Sequence, residues 1–154
     1  MYESNEPGSE FQKLQLANQS AQKPPPPPGK VMIMVVGIIM IVFSFFSFLT
    51  TLALMPSLGK FGGGYIPLMI FELALAGCTI AFGIIGLINA GKAAKAQNII
   101  NMGLLLCALI VIDLIAGAIV ASVNAAVVFF VMLGLVLPIL LIVGGNQNKK
   151  SLQS

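Results

Sequence analysis

The sequence predicts an all-α fold: a polytopic membrane protein in which four transmembrane helices form a bundle and both termini are cytoplasmic. Three observations carry this reading. Hydrophobic residues make up 58% of the chain and charged residues only 8%, against roughly 25% charged in an ordinary globular domain. The apolar residues gather into four stretches, 31–55, 67–90, 97–121 and 125–144. At ~1.5 Å per residue each can cross a ~30 Å hydrocarbon layer. The lysines are also unequally divided between the two sides of such a bundle. Lys13, Lys23, Lys30, Lys92, Lys95, Lys149 and Lys150 fall on one side and Lys60 on the other. The positive-inside rule places the lysine-rich side, and with it both chain ends, in the cytoplasm.

Three segments follow: a flexible Pro-rich cytoplasmic tail at 1–30, a transmembrane domain at 31–144 and a short cytoplasmic tail at 145–154. The apolar core of the first span exceeds the 7–15 residues of a cleavable signal, so this span is expected to be retained. In the tail, Ser9 to Gln12 has capping-box spacing, and Phe11 and Leu14 could share one face of a helix too short to be stable alone in water. Pro24, Pro25, Pro26, Pro27 and Pro28 favour polyproline II, ~15 Å long at ~3.1 Å per residue. Such a segment serves either as a stiff spacer or as a docking site for a cytoplasmic adaptor with an aromatic groove. The spacer is the stronger reading, because no arginine flanks the prolines.

The four spans differ in their polar content. At ~100° per residue, Gly37, Ser44, Ser47 and Thr51 share a broad face of span 1. The connection Met55 to Pro67 carries Lys60, Gly62, Gly63 and Gly64, with Tyr65 suited to the interface. In span 2, Glu72, Ala76, Thr79, Gly83, Gly86 and Ala90 point in one direction. Ala76, Gly83, Gly86 and Ala90 form a helix-packing seam of small residues, the kind that lets backbones approach closely in lipid. Span 3 carries Asp113. A short turn at 122–124 makes span 4 its antiparallel neighbour, and Pro138 is expected to bend span 4.

Glu72 and Asp113 are the two intramembrane acids. Span 2 runs inward and span 3 outward, so their depths of roughly 8 Å and 12 Å below the outer face are similar. An acid near a helix centre costs about 2.5–3.5 kcal/mol on insertion scales. Hydrogen bonds to Ser44, Ser47, Thr51 or Thr79 would lower that cost, and Lys60 could approach Glu72 from above. With these hydroxyls, the acids define a candidate intramembrane polar site. Intramembrane acids are default suspects for an ion or proton path. Cys78 and Cys107 lie within spans and read as packing residues, with a bond between them left open.

The four-span topology resembles the broad class of tetraspan membrane proteins with cytoplasmic ends, over residues 31–144 only. Small four-helix multidrug exporters carry their essential acid in the first span, and this first span has none. The chain holds no histidine and no cysteine cluster, so neither a zinc site, a serine–histidine pair nor another cofactor site is expected. Dispersed lysines with no basic block argue against a nucleic-acid partner. The sequence is therefore read as a non-enzymatic membrane structural or interaction subunit in a lipid bilayer. Its expected partner is itself, through the span 2 seam, or another membrane protein. The alternative is a small ion or proton channel or transporter using Glu72 and Asp113.

Overall fold

The computed structural model describes residues 11–12, 25–56, 65–120 and 125–153, with the backbone alone over 125–130. Four helices follow one another: α1 (Lys30–Leu54), α2 (Tyr65–Asn89), α3 (Ala96–Val120) and α4 (Ala125–Lys150). A 3₁₀ turn, Ala93–Lys95, joins α2 to α3. The described residues contain no strand. All four helices are long and apolar enough to cross a membrane. The tail stretch 13–23, Pro24, the connection at 57–64 with Lys60, and the turn at 122–124 lie outside the described residues.

Valine, isoleucine and phenylalanine crowd α1, and none is a strong helix former in water. A helix this long and apolar is compatible with hydrocarbon, where the ranking is overridden because each peptide group must find its partner within the segment. α1 begins where the proline run stops: the Lys30 amide donates to Pro27 O at 3.0 Å and the Ile33 amide to Gly29 O at 3.0 Å. α2 starts at Tyr65, ahead of Pro67. Pro67 therefore occupies the first turn, where its missing N–H has no intrahelical partner to lose.

α4 departs from the sequence expectation. The span expected to end at 144 continues as helix through Gly144 and Gly145 to Lys150, so most of the expected tail at 145–154 belongs to the bundle. Pro138, where a bend is expected, lies within this continuous helix. Packing explains the extension. A Cβ on Gly144 would lie 2.8 Å from Ile33 Cγ1 of α1, and one on Gly145 2.8 Å from Ile100 Cγ1 of α3. The two glycines let α4 nestle against both neighbours, and that contact offsets the ~1 kcal/mol that each glycine costs a helix interior.

The helices form a closed ring. Consecutive pairs α1–α2 and α3–α4 share the broadest interfaces, and α1–α4 and α2–α3 share narrower ones. Burial is concentrated at one end, here called the terminal end, where α1 starts and α4 finishes. Its core comprises Ile33, Val36, Met40, Ala90, Ile99, Leu106 and Leu141. Toward the distal end, α3 has no buried residue after Leu106, and α1 has only Ser44 and Thr51. Phe43, Phe45 and Phe46 are exposed on the rim of the bundle.

Candidate functional site

The small-residue face of α2 lies inside the chain. Ala76, Gly83, Gly86 and Ala90 are all buried. At its centre, two glycines meet backbone to backbone. A Cβ on Gly83 would lie 2.9 Å from Gly37 O, and one on Gly37 would lie 3.0 Å from Gly83 O. Gly86 has more room, with Leu141 Cδ1 at 3.6 Å and Ile33 Cγ2 at 3.7 Å from an added Cβ.

The residues of the candidate polar site are only partly brought together. Glu72 of α2 and Asp113 of α3 are half-buried on neighbouring helices, both toward the distal end of the bundle. Ser44 and Thr51 are buried on α1, whereas Ser47 is exposed on the outside of the bundle. The Thr79 hydroxyl donates to Leu75 O at 2.8 Å, within its own helix. Asp113 Oδ1 is buried and accepts no hydrogen bond from the described residues. The site thus offers one acceptor for which the described residues supply no donor.

A buried acceptor without a donor costs about 1–3 kcal/mol. Asp113→Leu is therefore expected to stabilise the bundle by about that amount, read as a higher midpoint in detergent-mediated unfolding. A lower midpoint would mean that the carboxyl has a partner in the folded protein.

Cys78 is exposed and Cys107 half-buried, both as free thiols, so no bond links them. The Pro-rich strap is largely open: Pro25, Pro26 and Pro28 are exposed and Pro27 half-buried.

The most complete polar arrangement lies at the terminal end, in residues the sequence reading assigned to a tail. Asn148 of α4 is fully buried. Its Oδ1 accepts the Gly29 amide at 2.8 Å, and its Nδ2 donates to Ala90 O at 3.0 Å. The two partners fix the amide orientation, since the peptide N–H can only donate and the carbonyl can only accept. One side chain thus ties the start of α1, the end of α2 and the end of α4. It satisfies one of the amides left open at the helix start. Gly29 has no room for a side chain, because a Cβ there would strike the Gly144 carbonyl. The Ser151 hydroxyl donates to Asn148 O at 2.8 Å, and Lys149 Nζ donates to Gln97 Oε1 of α3 at 2.9 Å.

A sequence signal for this node exists. Leu141, Gly144 and Asn148 continue the spacing of the buried face of α4 past the end of the apolar run. Hydropathy stops at 144, but the buried stripe does not.

The fold and these sites define a class: an all-helical four-helix bundle whose helices are long and apolar enough to span a membrane. No protein-family profile matches the chain, and no curated protein or solved structure shows significant similarity to it.

Proposed function

We propose that the protein is a multi-pass integral membrane protein acting as a non-enzymatic structural or interaction subunit, with both termini in the cytoplasm. The observation that supports this most is the dry packing of the terminal half. Ile33, Met40, Ile99, Leu106 and Leu141 are fully buried there. Any route leading from Glu72 and Asp113 to the terminal end would meet this apolar plug, which offers an ion nothing in place of its water. Self-association, if it forms, would use the outer surface of the bundle, because α1 already covers the α2 seam. The exposed Phe43, Phe45 and Phe46 provide apolar surface for lipid or for a neighbouring membrane helix.

A specific observation favours a second reading, a small ion or proton channel or transporter. Two carboxyls lie half-buried on the neighbouring helices α2 and α3, and Asp113 Oδ1 has no hydrogen-bond partner among the described residues. Reconstitution into liposomes separates the two readings. The subunit reading expects proton and monovalent-cation flux no greater than that of empty vesicles across a range of voltages. Flux above that background, lost in E72Q and D113N, would replace it with the conduit reading.

A further inference from the structure

The terminal end concentrates positive charge. Lys30 opens α1, Lys92 and Lys95 occupy the α2–α3 connection, and Lys149 and Lys150 close α4. Lys30 is half-buried and the other four are exposed. The described residues contain two carboxylate side chains, Glu72 and Asp113, and both lie in the distal halves of their helices. Packing draws the lysines together. The Lys30 stem runs beside Gly91, with its Cε 3.9 Å from an added Cβ, and so reaches the neighbourhood of Lys92. Lys149 crosses to Gln97 of α3, close in sequence to Lys95. All four helices end at this level, which sets the lysines where a bilayer changes from hydrocarbon to headgroups.

We propose that this lysine ring binds the phosphate-bearing headgroups of anionic membrane lipids. Charge complementarity argues for the occupant: an ammonium on a flexible stem can meet a phosphate while its methylenes stay against apolar surface. Lys30 lying along Gly91 already adopts that posture. Position argues for a lipid rather than a soluble anion, because a headgroup is held at the depth of the ring by its own acyl chains. The inference rests on the membrane-spanning reading above.

Native mass spectrometry of the full-length protein in mild detergent, with equal phosphatidylserine and phosphatidylcholine, tests it. Near an anionic surface each lysine is worth roughly fivefold. Phosphatidylserine should therefore be retained about tenfold or more over phosphatidylcholine. The preference should vanish in K30Q/K92Q/K95Q/K149Q and persist in K60Q. It should also weaken steeply with salt in the unaltered chain, a readout that does not depend on the variant folding. Equal retention of the two lipids, or a preference insensitive to salt, would overturn the proposal. Full displacement by millimolar inorganic phosphate would show a free-anion site instead. A preference found only after residues 1–22 are removed would show that Glu3, Glu6 and Glu10 of the chain itself occupy the ring. Release of the protein from membranes by alkaline carbonate would refute the membrane reading separately.

Discussion

Gly83→Leu is expected to separate α1 from α2 and destabilise the bundle by about 3 kcal/mol or more, at or above the upper end of ordinary overpacking. The first atom of the new side chain would lie 2.9 Å from Gly37 O and 2.9 Å from Ile41 Cγ1. Ile41 can turn aside, but the Gly37 carbonyl belongs to a helix backbone and can retreat only if α1 moves. The gain in helix propensity on replacing glycine, about 1 kcal/mol, does not offset that displacement. Gly86→Ala supplies the contrast. Its nearest contacts, at 3.6 and 3.7 Å, are ordinary van der Waals distances, so the variant should match or exceed the parent. Reversible unfolding in mixed detergent micelles would compare the two. Similar losses at both positions would mean that the helices do not meet at Gly37 and Gly83.

Asn148→Leu is expected to cost about 2–5 kcal/mol, the combined penalty of two buried backbone groups left without partners. The substitution keeps a side chain of similar reach but strands the Gly29 amide and the Ala90 carbonyl. The loss should appear as a lower unfolding midpoint, with faster hydrogen exchange at the start of α1 as a local signature. Asn148→Asp should fare no better. It retains an acceptor for Gly29 but sets a carboxylate oxygen against the Ala90 carbonyl. Unchanged exchange at Gly29 in Asn148→Leu would contradict the bridging role.

The four helices were legible from hydropathy because each is a long, nearly uninterrupted apolar run. The α2 face could also be read, since helical periodicity alone places Ala76, Gly83, Gly86 and Ala90 in one direction. What periodicity could not supply was the identity of the opposing surface. Gly37 of α1 lies there, so the seam packs against a helix of the same chain. Ser47 illustrates the converse difficulty. It shared a broad predicted face with Ser44 and Thr51, but a small rotation of the helix leaves it outside while they are buried. Asn148 was missed for a different reason. A polar residue beyond an apolar run resembles a tail in a one-dimensional profile, and only its contacts with Gly29 and Ala90 show it to be interior.

The Gly29–Asn148 hydrogen bond joins positions 119 residues apart, and this bears on how the protein is made. As the chain leaves the ribosome, the foot of its first helix must wait for the fourth helix before its capping group exists. Ring closure is therefore tied to the emergence of α4. A product truncated ahead of Asn148 would keep every apolar run, yet leave the start of α1 and the end of α2 without their shared partner.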